Sequence, residues 1–220
     1  MKTIQSSLFH RILPPDSTSD TRHPLVLFLH GRGADENDLL GLADSFDPRC
    51  MFISVRAPFP FGYGGGYTWY DIGEVGRPDP EKFRASCDAL TQCIDDILTG
   101  YPVDPARVIL YGFSMGSVMA NAMALTMPEK IRAVSANSGY VAEGTHLTYR
   151  WNDLSHLDVH LAHGLHDPVI PVAFGHRARE LYGASNAHWE YKEFPMAHEI
   201  SMESLNATVT WLDRVLFPGT

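Results

Sequence analysis

Residues 107–117 read RVILYGFSMGS and place one serine, Ser114, between Gly112 and Gly116. The first part of the stretch is an apolar and β-branched run, which is typical of a buried strand. The part that follows, at 115–127, has the pattern of a helix. A serine at a tight turn from strand to helix adopts a strained backbone, and flanking glycines avoid clashes that Cβ atoms would cause. The stretch therefore predicts a hydroxyl raised above the end of a buried strand.

The rest of the chain repeats this alternation of strand and helix. Apolar runs bounded by turn residues lie at 24–30, 51–55, 107–113, 131–136, 157–163 and 189–194. Helical patterns lie at 36–44, 80–99, 115–127, 174–183 and 199–216. Runs that are apolar on both faces and separated by helices indicate a mostly parallel sheet with helices on both faces. With an edge strand from SLFHRIL (7–13), we expect a single α/β domain over residues 1–220, with its chemistry at the carboxyl ends of the strands.

Composition excludes several classes of partner. The formal net charge of −9 argues against nucleic acid and against anionic membrane surfaces, since both require basic patches. No apolar run approaches the ~20 residues of a membrane span, and the first residues have no apolar region typical of a secretory signal. These features predict a cytoplasmic protein without membrane insertion. The sequence leaves the oligomeric state open and admits a homodimer.

Neither a metal nor a cofactor is expected. His160 and His163 lie on a predicted strand and therefore point to opposite faces, which argues against a shared metal ion. No Cys-x-x-Cys pair is present. The glycine run at 61–67 lacks the spacing of a phosphate-binding loop and predicts a mobile loop beside the cleft. The cysteines are expected to be reduced and buried: Cys50, Cys87 and Cys93.

A serine hydroxyl needs a base to remove its proton and an acid to orient that base. In α/β-hydrolases these residues follow in the order serine, acid, histidine. Asp167 lies in the loop beyond the strand at 157–163, at its carboxyl end, whereas Asp153 and Asp158 precede or begin that strand. Asp167 is therefore the expected acid, and a simple turn aspartate is the alternative.

Three histidines follow Asp167 in the sequence. His176 falls within a predicted helix. His188 lies at the amino end of the last strand, opposite the edge of the sheet where the catalytic residues are expected. His198 follows that strand and precedes a helix, so it lies at the catalytic edge of the sheet. We therefore expect a Ser114–Asp167–His198 triad; the competing interpretation of Ser114 is a helix cap.

Acyl transfer also needs hydrogen-bond donors where negative charge develops on the carbonyl oxygen. One is expected to be the backbone N–H of Met115, and the other that of Arg32, in the sequence HGRG that follows the strand at 24–30. For the Arg32 side chain, an ion pair with Asp35 is favoured over binding of an acidic substrate. His30 is expected to orient this loop. Asp35 is predicted to cap the helix at 36–44.

Four motifs carry a family resemblance: LFLHGRGADENDLL, GFSMGS, HGLHDPVIPV and PMAHEIS, with APFPF and YTWYDI between the first two. Together they resemble the phospholipase/carboxylesterase family of small α/β-hydrolases, over residues from about 20 to 215. The resemblance implies an α/β-hydrolase fold with the triad and oxyanion hole named above, and the short segment 138–156 between two strands predicts little or no lid. The resemblance also implies that Trp69 contacts the substrate and that Asp71 is structural.

Two positions depart from the thioesterase members of that family. Met115 stands where they usually have glutamine, and Ala197 where many members have glycine. The form HGRGADEND resembles the bacterial esterase branch, which weighs against action on lipidated proteins. The expected activity is hydrolysis of short- to medium-chain carboxylic esters through an acyl-enzyme. The alternatives are a thioesterase or lysophospholipase for longer acyl chains, and a non-catalytic binding module.

Overall fold

The computed structural model describes residues 2–16, 22–62 and 64–219. A seven-stranded sheet lies at its centre, in the order β1-β3-β2-β8-β9-β10-β11, and two small hairpins pair β4 with β5 and β6 with β7. The strands are β1 (His10–Leu13), β2 (His23–Leu29), β3 (Met51–Val55), β4 (Phe59–Phe61), β5 (Gly66–Thr68), β6 (Ile72–Glu74), β7 (Arg77–Pro78), β8 (Val103–Phe113), β9 (Ala133–Asn137), β10 (Asp158–Gly164) and β11 (His188–Phe194).

Neighbouring strands of the large sheet run parallel, except that β1 is antiparallel to β3. The edge strand predicted from residues 7–13 is therefore present as β1. Parallel strands bring their carboxyl ends to one edge of the sheet, so the loops after β2, β8, β10 and β11 share that edge.

Helices cover both faces of this sheet. They are α1 (Pro80–Gly100), α2 (Met115–Thr126), α3 (Ala173–Gly183) and α4 (Met202–Leu216), with 3₁₀ helices at Leu40–Ser45 and Pro128–Lys130. Strand β2 shows why two layers are needed. Leu25, Leu27 and Leu29 enter the core beneath α1, α2 and α3, whereas Val26 and Phe28 enter the core beneath α4. The α/β-hydrolase fold predicted from the sequence is confirmed.

The segment after β2 differs from the prediction. No α-helix spans 36–44, and Asp35 caps none: its carboxylate instead accepts hydrogen bonds from the backbone and side chain of Asn37, at 2.8 and 3.1 Å. The apolar residues there fold into the short 3₁₀ helix Leu40–Ser45. An aspartate two residues before a backbone N–H closes a local turn as readily as it caps a helix.

The glycine run also forms more regular structure than expected. Phe61 ends β4 and Gly66 begins β5, so the predicted loop at 61–67 is the tip of a β-hairpin; Tyr63 lies outside the described residues. A Cβ atom on Gly66 would lie 1.9 Å from the carbonyl oxygen of Gly33. Glycine is required there because the hairpin packs directly on the backbone that follows β2.

The connection between β9 and β10, residues 138–157, contains no helix or strand, in keeping with the expected absence of a large lid. Within the described part of the chain, no helix has both the length and the apolar character needed to span a membrane. All three cysteines are buried as free thiols.

Two glycines let α2 begin directly against the sheet. A Cβ atom on Gly112 would lie 2.4 Å from the carbonyl oxygen of Gly116, and one on Gly116 would lie 2.0 Å from the carbonyl oxygen of Leu29. Both neighbours are backbone atoms, which cannot rotate out of the way. The turn therefore depends on residues without side chains at both positions.

We expect Gly116→Ala to lower the free energy of unfolding by an amount near the upper end of ~1–3 kcal/mol, because the new methyl group overpacks the backbone at the end of β2. The matched control is Gly41→Ala, where a Cβ atom would have no neighbour within 4 Å and the change should stay within about 0.5 kcal/mol. Urea denaturation monitored by circular dichroism measures both. Equal stability of the two variants would contradict the packing argument.

Candidate active site

Ser114 occupies the turn between β8 and α2 with φ 55° and ψ −121°, in the region of positive φ that only a few non-glycine residues adopt. Its N–H donates to the carbonyl oxygen of Asn137 at 2.9 Å, which ties the turn to the end of β9. Its side chain makes no capping hydrogen bond to α2. The interpretation of Ser114 as a helix cap is therefore wrong, and the hydroxyl is free to bond elsewhere.

The imidazole of His198 meets that hydroxyl. Nε2 lies 2.8 Å from Ser114 Oγ, and Nδ1 lies 2.7 Å from Asp167 Oδ2. His198 comes from the loop between β11 and α4, and the ring of Phe113 packs against it with centroids 5.0 Å apart. The structure thus brings together the three side chains that the sequence predicted, from positions 31 and 84 residues apart.

The second oxygen of Asp167 is held by the loop itself. Oδ1 accepts hydrogen bonds from the backbone N–H groups of Val169 and Ile170, both at 2.8 Å, and the carboxylate side chain is fully buried. Because a carboxylate only accepts hydrogen bonds, Nδ1 of His198 carries its proton and Nε2 accepts from the Ser114 hydroxyl. In this tautomer the imidazole can take the hydroxyl proton as a general base.

The rejected candidates lie elsewhere. His176 pairs with Glu193 on the surface, with Nε2 2.6 Å from Oε1. The exposed ring of His188 lies 3.8 Å from Asp158 at the amino end of the strands. Asp153 pairs with Arg150 at 3.0 Å.

The loop after β2 lies against the nucleophile. A Cβ atom on Gly31 would lie 3.4 Å from Ser114 Cβ, so the backbone of this loop passes close to the serine one residue before Arg32. On the other side, the N–H of Met115 has no intrahelical acceptor because Met115 is the first residue of α2. The N–H groups of Arg32 and Met115 are the two donors that the sequence predicted for an oxyanion hole.

His30 orients this loop through both ring nitrogens. Nε2 accepts from the backbone N–H of Ala57 at 3.0 Å, so Nδ1 carries the proton that it donates to the carbonyl oxygen of Gly31 at 2.7 Å. Burial lowers the pKa of His30 and so favours this neutral form. The expectation that His30 positions the loop agrees with this geometry.

The Arg32 side chain departs from its favoured partner. Its guanidinium lies over the ring of Phe61, 4.6 Å from the centroid, and among the described residues no ion pair joins it to Asp35. Arg32 forms this cation–π contact and not the ion pair because the β4–β5 hairpin packs over the loop. No local sequence pattern predicts that arrangement. The side chain of Met115 also contacts this region, since Thr68 Oγ1 donates to its sulphur at 3.3 Å.

Trp69 has a different place from the one that the resemblance implied. The side chain is fully buried, so it has no surface in the cleft with which to contact a substrate. Its indole N–H donates to the carbonyl oxygen of His30 at 2.9 Å and thereby supports the loop after β2. Asp71 pairs with Lys82 at 2.6 Å on the surface, in keeping with a structural role.

A buried ion pair that sequence analysis missed anchors the same loop. The carboxylate of Glu36 accepts two hydrogen bonds from the guanidinium of Arg56, at 2.6 and 2.8 Å, and its side chain is only 2% exposed. The rings of Phe9 and Tyr67 lie on the guanidinium, 4.3 and 4.5 Å from their centroids. The acidic cluster around Glu36 was interpreted as a helix start. The one signal for an ion pair was Arg56, which directly follows β3.

A cavity of about 230 Å³ lies beside the residues that follow β9. A Cβ atom on Gly139 would lie 3.0 Å from the carbonyl oxygen of Ser114. Tyr140 and Val141, which line the cavity, therefore directly follow a residue that packs on the nucleophile turn. The walls are mostly apolar, and the ion pair between Glu143 and Arg177 stands at its rim. The lining residues are Gly76, Tyr140, Val141, Glu143, Ala173, Phe174 and Arg177.

In the described part of the chain, no group of three or more histidine, cysteine or acidic side chains is arranged to hold a metal ion. His160 and His163 face different elements: His160 bonds to Glu190 of β11, and His163 to the carbonyl oxygen of Ile170.

The sheet order, the strained serine turn and the hydrogen-bonded line from Ser114 to Asp167 define an α/β-hydrolase. The sequence model of the Phospholipase/Carboxylesterase family matches residues 16–216, and the chain belongs to that family. It is accordingly a serine hydrolase of the carboxylesterase and acyl-protein thioesterase group.

Individual relatives cover nearly the whole chain. Acyl-protein thioesterase 1 of Debaryomyces hansenii is 26% identical, over 94% of this chain and 98% of its own. Esterase PE8 has a solved structure that is 27% identical, with a TM-score of 0.79 over 95% of this chain and 99% of its own. The carboxylesterase of Bacillus cereus shares the fold, with a TM-score of 0.84 at 22% identity over 95% of both chains.

Replacing Glu36 by glutamine tests the anchored loop. Hydrogen bonds from Arg56 lower the pKa of Glu36, so this carboxylate stabilises the fold above the unfolded-chain pKa of about 4.3, and the contribution is lost as the pH falls through the lower folded-state pKa. We expect Glu36→Gln to reduce the free energy of unfolding at pH 7 by about 1.5–3 kcal/mol, and the difference from wild type to shrink below about pH 4.

Urea titrations at pH 7 and pH 3.5 measure this difference. The control is Glu74→Gln, whose ion pair with Arg77 is exposed and should contribute less than about 1 kcal/mol at either pH. A Glu36→Gln variant as stable as wild type at pH 7 would refute the role of the buried pair.

Proposed function

We propose that this protein hydrolyses carboxylic esters with short to medium acyl chains through an acyl-enzyme on Ser114. One observation carries the proposal: the hydrogen-bonded line in which His198 lies 2.8 Å from the Ser114 hydroxyl and 2.7 Å from the Asp167 carboxylate. The chemistry requires no cofactor or metal ion, because the base, the acid and the oxyanion donors all come from the protein.

In acylation, Ser114 Oγ attacks the ester carbonyl carbon while His198 Nε2 takes the hydroxyl proton. Asp167 stabilises the imidazolium and keeps it oriented. The backbone N–H groups of Arg32 and Met115 bind the oxyanion of the tetrahedral intermediate. His198 then gives its proton to the leaving alcohol as the C–O bond breaks, which leaves the acyl group on Ser114.

In deacylation, water replaces the alcohol. His198 removes a proton from the water as its oxygen attacks the acyl carbon, and the same two N–H groups bind the second oxyanion. The proton then returns to Ser114 Oγ as the acid leaves, so the enzyme ends as it began.

We take the cavity lined by Tyr140 and Val141 as the acyl site, and its size supports the preference for short to medium chains. At about 230 Å³ it is smaller than the ~300–1,000 Å³ typical of sites for drug-sized ligands, and its apolar walls suit an acyl chain or a ring. The connection 138–157, which contains no helix or strand, contributes Tyr140, Val141 and Glu143 to the cavity wall.

A thioesterase or lysophospholipase for longer chains is the second candidate. The similarity to a fungal acyl-protein thioesterase favours it, and the proposed mechanism would serve either bond. A third candidate, a binding module without catalysis, is disfavoured because the hydrogen bonds among Ser114, His198 and Asp167 are intact. A cytoplasmic location and a homodimer stay predictions.

We expect Ser114→Ala to reduce hydrolysis of p-nitrophenyl butyrate at least about 10,000-fold, because the attacking oxygen is gone. Labelling by a fluorophosphonate probe should be lost as well, whereas circular dichroism should be unchanged. The control is Ser117→Ala, which removes a buried hydroxyl that has no hydrogen-bond partner among the described residues and should keep activity within about threefold. Hydrolysis by Ser114→Ala at the wild-type rate would disprove the assignment of the nucleophile.

Filling the cavity should change chain-length preference. We expect Val141→Phe to reduce kcat/KM for p-nitrophenyl octanoate relative to the acetate by about tenfold or more, because each excluded methylene loses apolar contact. Val215→Phe, in a cavity lined by α4 and β11, is the control and should leave this ratio unchanged.

The same esters and the corresponding acyl thioesters, tested on the wild-type protein, separate the two catalytic candidates. A maximum at short chains with esters hydrolysed faster than thioesters supports the proposal. A rate that rises steadily to long-chain thioesters supports the thioesterase. An unchanged chain-length ratio in Val141→Phe would show that the acyl group binds elsewhere.

A further inference from the structure

His163 is a buried histidine that the mechanism above does not use. It lies near the carboxyl end of β10, four residues before Asp167, and is 2% exposed. Its Nε2 lies 2.8 Å from the carbonyl oxygen of Ile170 and 3.7 Å from Asp167 Oδ2. It therefore lies next to the acid of the proposed triad, near the same carboxylate oxygen that accepts from His198.

The protonation of this ring follows from its partner. A carbonyl oxygen only accepts hydrogen bonds, so Nε2 of His163 carries a proton and donates it to Ile170. Burial lowers the pKa of His163, which favours the neutral ring with a single N–H. That one donor is committed to the backbone of the loop.

Helix α3 holds the ring in place. A Cβ atom on Gly175 would lie 2.9 Å from both His163 Nδ1 and the Tyr191 hydroxyl, so the helix backbone packs directly on the imidazole. This contact packs the ring against α3 on the side of Nδ1, while Nε2 is held by Ile170. Such packing is how a rigid element fixes the direction of a hydrogen bond in a functional loop.

The backbone of Ile170 connects this histidine to the acid. Its carbonyl oxygen accepts from His163, and its N–H donates to Asp167 Oδ1 at 2.8 Å. Asp167 Oδ2 then accepts from His198, which reaches Ser114. His163 is thus linked to the nucleophile mechanically, because its hydrogen bond fixes the backbone of the residue whose N–H holds Asp167.

We propose that His163 is a positioning residue for Asp167: by donating to the Ile170 carbonyl oxygen, it holds the loop N–H groups on Oδ1 and keeps Oδ2 directed at His198. The proposal rests on the proposed function, since it concerns the acid of the same site. His163 does not touch the reacting atoms. Without its donor the loop relaxes, the carboxylate turns, and the imidazole loses the orientation that proton transfer requires.

A pair of nearly isosteric substitutions separates the hydrogen bond from packing. In His163→Gln the amide nitrogen reaches the position of Nε2 and can donate, whereas His163→Met has similar length and no donor. We expect kcat for p-nitrophenyl butyrate to fall about 10–100-fold in His163→Met, with KM changed less than about threefold. We expect His163→Gln to stay within about fivefold of wild type.

The control is His160→Met, which replaces a buried histidine of the same strand that packs on Trp211 and bonds to Glu190. It should lower stability and leave kcat unchanged. Circular dichroism establishes the folded fraction of every variant, and rates are expressed per folded molecule. The proposal is overturned if folded His163→Met keeps the wild-type kcat, or if His163→Gln loses as much activity as His163→Met.

A second variant tests the same point should His163→Met fail to fold. Gly175→Ala pushes a methyl group onto His163 without changing the ring and should lower kcat several-fold at constant KM. Gly183→Ala adds its methyl group to the same helix in ordinary contact, 3.5 Å from Trp189, and should leave kcat unchanged. Wild-type kcat in Gly175→Ala would count against the proposal.

Failure of the proposed function looks different from failure of this inference. If the wild-type protein does not hydrolyse the ester, or Ser114→Ala does so equally well, the mechanism itself is wrong. If wild type is active, Ser114→Ala is inactive and the His163 variants match wild type, only the positioning role is refuted.

Discussion

The contact between Gly116 and the carbonyl oxygen of Leu29 is the constraint on which the site depends. It allows the first turn of α2 to pack on the end of β2, and this packing holds Ser114 in its strained turn between β8 and α2. The same contact sets the distance between the two proposed oxyanion donors, since Arg32 follows β2 and Met115 begins α2. A strained backbone persists only where its surroundings determine it fully, and here backbone atoms on both sides do so.

Two buried carboxylates anchor the loops around this turn by different means. Glu36 is neutralised by the guanidinium of Arg56, which suits a purely structural anchor of the loop after β2. Asp167 is held by neutral backbone N–H groups and by His198. A guanidinium beside Asp167 would compete with the imidazole for the carboxylate, whereas neutral donors orient it and leave its charge available to stabilise an imidazolium.

The segment between β3 and α1 supports the loop after β2 from outside the sheet. Gly66 packs on the carbonyl oxygen of Gly33, the indole of Trp69 donates to His30, and Phe61 lies under the Arg32 guanidinium. The two hairpins of this segment are too short to be stable alone. The β4–β5 hairpin covers a loop that parallel strands leave exposed at the carboxyl edge of the sheet.

The sequence by itself determined the alternation of strands and helices and the choice of Ser114, Asp167 and His198. Hydrophobic periodicity and position relative to strand ends are local properties, which the sequence contains directly. It failed for Glu36, whose partner Arg56 lies 20 residues further along the chain, and the resemblance failed for Trp69, which it placed against the substrate. At Asp35 the ambiguity was local, since an aspartate can close a turn with the residue two positions on or cap a helix. Only the tertiary structure decided that Glu36 pairs with Arg56, that Trp69 is buried against His30 and that His163 lies next to Asp167. These outcomes depend on how separate elements pack, and no pattern of neighbouring residues specifies that packing.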